Sequence, residues 1–382
     1  MLWDECQHNI DAVGEQMAYN ALSPDRCDEL LKESWSRICQ CLGEEAINAM
    51  SPEEWHFMAL FIWGQCCMHK EMNSVKGGNI TLMAFWEVHR LTPPMKLYNK
   101  DNALASRSSD TNMVQKAADN STRGAIKLTS HARTLFVNKD KKKGQQDSLQ
   151  VWLELEMGYM IRFPDTSNTQ YQSHCLAAAE LLIWQEFYRE FLELVHDLKD
   201  KRTFTNIEKN VYSALDDEPT IMELCVLVLY SQSISHPYMQ VVRGPDASTT
   251  NLLDLRPIHN QVMDYCCKII SDPDLLISPS ASYATGTLDS KIWDNPEAIY
   301  AVLWYAPNLP HLWGALIAFF NCALETWEQF SSEIAPDGDI AQATNSKWHC
   351  AFMLPTNDDN EGMLRGVVTG LNPSSEHVTK ES

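Results

Sequence analysis

The sequence has few basic residues for its length. Its 382 residues include 30 lysines and arginines against 51 aspartates and glutamates, a formal net charge of −21. A field of that sign repels phosphate backbones and anionic lipid surfaces. The composition therefore disfavours a stand-alone nucleic-acid-binding protein, and any DNA contact would need a local basic patch or a further, more basic segment.

Signals for secretion, membrane insertion and disulfide bonding are also lacking. The first residues, MLWDECQHNID, have neither the basic flank nor the apolar run of a secretory signal peptide. The most apolar stretch is interrupted by Asn321 and falls short of the roughly 20 residues of a membrane span. The 12 cysteines form no paired C-x-x-C motifs. We therefore expect a nuclear or cytoplasmic protein with reduced thiols and no membrane partner.

Common catalytic motifs are missing as well. The sequence contains no G-x-x-x-x-G-K-[ST], no G-x-S-x-G and no H-E-x-x-H, so no small-molecule substrate is indicated. Gly77 and Gly78 follow Lys76, and this pair predicts the end of a helix rather than a phosphate loop.

Helical periodicity dominates what is present. Ser23 before Pro24 predicts a helix start, followed by an apolar stripe at Cys27, Leu31, Trp35, Ile38 and Leu42. Ser51 and Glu54 form a predicted capping box. Further helices are predicted near 174–198, 203–214, 220–234, 255–271, 296–305 and 311–333. In contrast, KWHCAFML at 347–354 alternates like a strand.

These patterns predict a mainly α chain in which a helical insertion interrupts a sheet domain. The expected segments are 1–98, helical; 99–146, a polar and basic loop region; 147–334, a helical insertion domain; 335–366, a strand and helix that end the sheet domain; and 367–382, a disordered tail.

Cys66 and His69 are the first candidate site residues. They lie three positions apart and would share one face of a helix, where they continue the apolar stripe that ends at Ile62. This favours two side chains that point into the core. The alternative is a zinc site, for which His174 and Cys175 are the only other tight pair of ligands.

Two polar segments are the other candidates. In TNDDNEG, Glu361 belongs either to a capped, acid-rich first helical turn or to a divalent metal site, which needs several oxygen ligands. In DTSNTQYQSH, Tyr171 lies either in a polar helix cap or on a surface where it stacks on a nucleic-acid base. The pattern favours a position of Glu325 and Glu328 on the solvated face of their helix, and the alternative is a buried acid pair.

Seven segments together carry a family resemblance. They are CCMHKEMNSVKGGN, GAIKLTS, KDKKKGQQD, FPDTSNTQYQSH, YSQSISHPYMQVVRGPD, LISPSASYATGTLD and PTNDDNEG, in this order. The series, spanning residues 20–366, resembles the fungal transposases of the Kyakuja–Dileera–Zisupton group. The resemblance implies a helical insertion domain attached to the remnant of an RNase H-like α/β catalytic core.

In such cut-and-paste DDE transposases, two aspartates and a glutamate hold Mg²⁺ or Mn²⁺, and the insertion precedes the glutamate. The resemblance implies that Glu361 is the metal-binding glutamate, with Glu325 in reserve. Cys66 and His69 match a Cys-x-x-His motif that supports the active site in such enzymes. The DNA-proximal Thr-Arg-Trp element of related transposases is matched by Thr169, Gln170 and Tyr171, with glutamine in place of arginine.

The sequence differs from this family in its aspartates. Relatives carry them on strands before the matching region, and no aspartate ahead of Cys66 lies on a strand-like alternation here. We therefore expect a truncated, non-catalytic transposase product that binds no metal tightly and packs against another copy or a full-length relative. Transposon-end DNA would be a partner only of an intact relative. The alternative is a host-recruited helical protein-interaction module.

Overall fold

The computed structural model describes residues 2–52, 54–55, 62–139, 144–158, 162–166, 172–343, 348 and 351–358. Helices account for most of these residues, so the mainly α fold is confirmed. The chain has two compact units, one of residues 1–62 with 344–351 and one of residues 63–343 with 352–382. The expected segment boundaries at 98 and 146 both lie inside the second unit.

The first unit includes α1 (Leu2–Val13), α2 (Gln16–Asn20) and α3 (Pro24–Ala49). As predicted, α3 is capped by Ser23, whose side chain accepts a hydrogen bond from the Arg26 N–H, and Pro24 lies in the first turn. The predicted capping box also forms. Ser51 Oγ accepts from the N–H of Glu54 at 3.2 Å, and Glu54 Oε2 accepts from the N–H of Ser51 at 2.8 Å.

The apolar stripe predicted on α3 is buried only in part. Ile38 lies in the core, whereas Leu31, Trp35 and Leu42 are exposed. Helix α1 covers the neighbouring face of α3, where the Asn9 amide donates a hydrogen bond to Ser34 at 2.7 Å. Three large apolar side chains of α3 are therefore left in contact with solvent.

The second unit is also helical. In its first half the helices are α4 (Cys67–Val88), α5 (Lys100–Ala105), α6 (Thr111–Asp119), α7 (Ala125–Phe136), α8 (Gln146–Met157), α9 (Gln172–Ile183), α10 (Gln185–Asp197) and α11 (Asn206–Ala214). In its second half they are α12 (Glu218–Tyr230), α13 (His236–Arg243), α14 (Arg256–Ser271), α15 (Asp274–Ile277), α16 (Tyr283–Gly286), α17 (Pro296–Tyr305) and α18 (Leu312–Gln329). Short 3₁₀ turns occupy Leu252–Leu255, Ala306–Asn308 and Ser332–Ile334.

Helix α12 lies at the centre of this unit. It is apolar on every side, and each residue from Thr220 to Tyr230 is buried, as expected for a helix surrounded by others. Helix α9 packs on α12, while α18 packs along α4 and against α14. None of the described helices is both long and apolar enough to cross a lipid bilayer.

Gly77 and Gly78 lie inside α4, so the helix end predicted at this pair is wrong. They allow α18 to approach α4 closely. A Cβ atom on Gly78 would lie 2.5 Å from the Phe319 ring, closer than packed carbon atoms tolerate. The glycines lower the intrinsic helix propensity but make room for the neighbouring helix.

The loop region expected at 99–146 instead contains α5, α6 and α7. Its polar residues, which suggested a loop, serve as helix caps. Asn99 accepts a hydrogen bond from the N–H of Asn102 at 2.7 Å, and Asp110 accepts one from the N–H of Asn112 at 2.9 Å.

The strand predicted at 347–354 is not found in the part of it that is described. Residues 351–354 have no regular secondary structure, and the only β-bridge among the described residues joins Lys96 and Arg123. Alternating side chains cannot make a strand without a neighbouring strand to complete the hydrogen-bond ladder. The α/β core implied by the family resemblance is therefore not shown by the described residues.

Candidate functional site

The start of α4 meets a segment from near the other end of the sequence. Cys66 is the residue just before the first turn of α4, and the N–H of Cys67 donates a hydrogen bond of 2.8 Å to the carbonyl oxygen of Pro355. The first N–H groups of a helix lack partners within it, so an outside carbonyl is needed here. The Cys-x-x-His segment is thus joined directly to the segment that leads to Glu361.

This closing segment, residues 352–358, is held by further polar contacts. The N–H of Leu252 donates to the Met353 carbonyl at 2.7 Å, and the N–H of Met353 donates to Asn251 Oδ1 at 3.1 Å. Asp358 pairs with Arg243 at 2.9 Å. A cleft of about 340 Å³ lies between the end of α13 and the closing segment.

Cys66 and His69 do not both point into the core. Cys66 is half-buried and His69 is exposed, whereas Cys67 is completely buried. Residues 62–66 are not helical. The apolar stripe that ends at Ile62 therefore does not continue along one helix face into α4. The expectation of two core-facing side chains is wrong for His69, and Cys67 takes the core position instead.

Cys67 belongs to a buried polar cluster with Tyr238 and His259. His259 Nε2 lies 3.8 Å from Cys67 Sγ and 3.0 Å from the Tyr238 hydroxyl. Its Nδ1 lies 2.7 Å from the Leu255 carbonyl oxygen, which can only accept, so Nδ1 carries the proton. The Tyr238 hydroxyl therefore donates to Nε2.

Burial keeps these groups uncharged. It raises the pKa of the Cys67 thiol to about 11. Burial, together with the positive charge of Lys70, lowers the pKa of His259 to about 3. Nucleophilic and metal-binding cysteines act as thiolates. This arrangement therefore fixes α4 to α13 and α14 and does not activate the thiol.

The next turn of α4 buries two charged side chains. Lys70 forms an ion pair with Glu333, and neither side chain is exposed. Glu71 accepts a hydrogen bond from the Ser235 hydroxyl. Glu71 Oε2 and Glu333 Oε2 find no hydrogen-bond partner among the described residues. Burial raises the pKa of Glu71 to about 7, and the hydrogen bond from Ser235 opposes this only in part.

Ser235 ends a π-helix, Ser231–Ser235, that links α12 to α13. All five of its residues are buried, and the Gln232 side chain accepts a hydrogen bond of 2.7 Å from the N–H of Asn295. A π-helical turn inserts an extra residue and is frequently found at functional sites. In the sequence, the only signal for it is a run of serine and glutamine inside an otherwise apolar helical pattern.

Another buried acid, Glu223 on α12, ties α4 to α7. It accepts hydrogen bonds of 2.8 Å from the Trp86 indole and from the N–H of Ala125. Burial raises its pKa to about 7, although both donors favour the charged form. The sequence does not mark Lys70, Glu71 and Glu223 as buried, because charged residues are rarely found fully buried.

Glu361 and the segment from Thr169 to Tyr171 lie outside the described residues. Glu325 and Glu328 are exposed on α18, which confirms their predicted position on its solvated face.

The described residues do not fit a divalent metal site. No group of three histidine, cysteine, aspartate or glutamate side chains among them could hold an ion. Asp358 is paired with the Arg243 guanidinium at 2.9 Å. His174 Nδ1 lies 2.8 Å from Thr129 Oγ1. These residues therefore support no metal-dependent step.

Fold and site together define a mainly helical protein with a polar cluster buried around the first turns of α4. No family model, curated protein or solved structure matches the chain.

Proposed function

We propose that the chain derives from a cut-and-paste DNA transposase of the Kyakuja–Dileera–Zisupton group and does not cleave DNA on its own. The observation that carries this proposal is the hydrogen bond between Cys67 and Pro355. In such a protein, the segments before and after the helical insertion pack together in one catalytic core. Here the Cys-x-x-His helix and the segment leading to Glu361 meet, although most of the chain lies between them.

In this proposal, residues 335–366 are the end of an RNase H-like core and 147–334 are its insertion. Glu361 would supply one oxygen ligand for Mg²⁺ or Mn²⁺ in an intact relative, and Thr169 to Tyr171 would lie near its DNA. Phosphoryl transfer with two metal ions needs several carboxylates that converge from separate elements. One glutamate cannot provide them, so we expect no tight metal binding and no cleavage by this chain.

Its remaining activity would be to pack against another copy or a full-length relative. A nuclear or cytoplasmic location fits the described cysteines, none of which forms a disulfide. A second candidate is a host-recruited interaction module. The exposed Leu31, Trp35 and Leu42 on α3 favour it, since exposed apolar groups on one helix are typical of contact surfaces.

A nicking assay tests the absence of catalysis. Supercoiled duplex DNA is incubated with the purified chain and Mg²⁺ or Mn²⁺, and a Glu361→Ala variant serves as the matched control. We expect equal background with both proteins. Metal-dependent cleavage that is lost in the variant would overturn the non-catalytic part of the proposal.

The genomic locus tests the origin. The proposal expects an adjoining reading frame that encodes strands bearing aspartates. A locus without such a frame would favour the interaction module. Co-purification of a tagged copy with a full-length relative separates the two candidates further, because only a transposase product should associate with one.

A further inference from the structure

Helix α17 presents two aromatic side chains to solvent. Tyr300 is 66% exposed and Trp304 is 80% exposed. They lie four residues apart and therefore side by side on one face of the helix. Large aromatic side chains are unusual at such exposure, and tryptophan and tyrosine are enriched among the residues that dominate binding at protein interfaces.

The opposite face of α17 holds these side chains in place. Ala298, Ile299 and Val302 are buried against the rest of the second unit. At the end of the helix, the Tyr305 hydroxyl donates a hydrogen bond to the side chain of Gln185 on α10. The helix is therefore fixed before any partner binds, so little backbone order has to be gained on binding.

An acidic residue precedes the two aromatic side chains on their face of α17. Glu297 is exposed one turn before Tyr300 on the same face. The aromatic face, defined here as Glu297, Tyr300 and Trp304, combines π surfaces with negative charge.

We propose that the aromatic face binds an arginine- or lysine-rich segment of a partner protein. Guanidinium and ammonium groups are attracted to the faces of tryptophan and tyrosine, and the neighbouring Glu297 carboxylate adds charge complementarity. A nucleic acid or an anionic membrane would be repelled by Glu297 and by the net charge of −21. A symmetric dimer would bring two copies of Glu297 together.

Binding of a fluorescein-labelled peptide of alternating arginine and glycine, followed by anisotropy at about 0.15 M salt, tests this proposal. We expect saturable binding, weakened about tenfold by Trp304→Ala through loss of the cation–π contact. Glu297→Gln should weaken binding less and reduce its salt dependence. Trp3→Ala is the matched control, because Trp3 is 79% exposed in the first unit and should not affect binding.

Circular dichroism verifies that each variant is folded. Equal affinities of the Trp304→Ala and Trp3→Ala variants would overturn the proposal, and so would the absence of saturable binding. Two other outcomes would overturn it as well: equal binding of a matched glutamate–glycine peptide, or self-association or DNA binding of the wild type that Trp304→Ala abolishes.

Discussion

Lys70 and Glu333 form an ion pair from which solvent is completely excluded. Lys70 lies in the first turns of α4, and Glu333 lies in the 3₁₀ turn that follows α18, so the pair joins two distant parts of the second unit. The Gln65 N–H also donates to Glu333 Oε1, at 3.3 Å. Two desolvated charges are tolerated only when each satisfies the other.

Removing one member of this pair should be strongly destabilising. We expect Lys70→Met to lower the free energy of unfolding by about 3–5 kcal/mol, because Glu333 is left as an unpaired buried charge. The double variant Lys70→Met, Glu333→Leu should recover much of that loss. Urea denaturation measures both effects, and Lys291→Met, at a largely exposed ion pair, is the control. Additive losses in the double variant would show that the two charges are not coupled.

The close approach of α4 and α18 gives a second prediction. Gly78→Ala should destabilise the protein by about 1–3 kcal/mol, because the added methyl group overlaps the Phe319 ring. Gly314→Ala is the matched control. Its Cβ would lie 3.3 Å from the Phe85 ring, so a small movement relieves the contact. Thermal unfolding compares the two, and equal midpoints would contradict the packing described here.

Glu71 makes stability depend on pH. Its pKa is raised by burial to about 7 in the folded protein, above the value of about 4.3 expected when unfolded. Between these two pKa values Glu71 is protonated in the folded state and ionised in the unfolded state. The free energy of unfolding is therefore highest below about pH 4 and falls as pH rises through 7. Glu71→Gln cannot ionise. The wild type should lose about 3 kcal/mol relative to this variant between about pH 4 and pH 8.

Denaturant titrations at several pH values measure this difference. Glu223→Gln serves as a comparison. Both Glu223 oxygens accept hydrogen bonds, from the Trp86 indole and from the N–H of Ala125, so the amide nitrogen of glutamine would face one of these donors. It should therefore be destabilised at every pH. A stability difference between wild type and Glu71→Gln that does not change with pH would contradict the raised pKa of Glu71.

Cysteine reactivity tests the burial of the polar cluster. Brief alkylation near pH 8, followed by mass spectrometry, should modify the exposed Cys39, Cys41 and Cys267 first. Cys67 should be protected, because its thiol is buried and its pKa is about 11. Unfolding in guanidinium should remove the protection. Rapid modification of Cys67 in the folded protein would show that α4 begins at an accessible surface.

The helices were the most predictable part of this molecule, because their signals are local. Ser23 with Pro24 and Ser51 with Glu54 cap helices as predicted. The long helix predicted over 174–198 is divided at Trp184 into α9 and α10. Apolar spacing continues across that turn, so periodicity alone could not locate it.

Tertiary contacts explain what the sequence could not predict. Gly77 and Gly78 have the local pattern of a helix end, but they are needed inside α4 because α18 packs against them. Lys70 and Glu71 look like surface residues until Glu333 and Ser235, far along the chain, are placed beside them. Such partners are brought together by the fold and leave no mark in local spacing.

The proposed function depends on the contact between the closing segment and the start of α4. Benzoylphenylalanine in place of Met353 tests it most directly, because Met353 lies beside Gly64 and accepts a hydrogen bond from Leu252. After irradiation, mass spectrometry should find cross-links to peptides that contain Gly64 or Leu252. The same group in place of the exposed Leu155 should give neither. Cross-links from position 353 that fall only elsewhere in the chain would contradict the account.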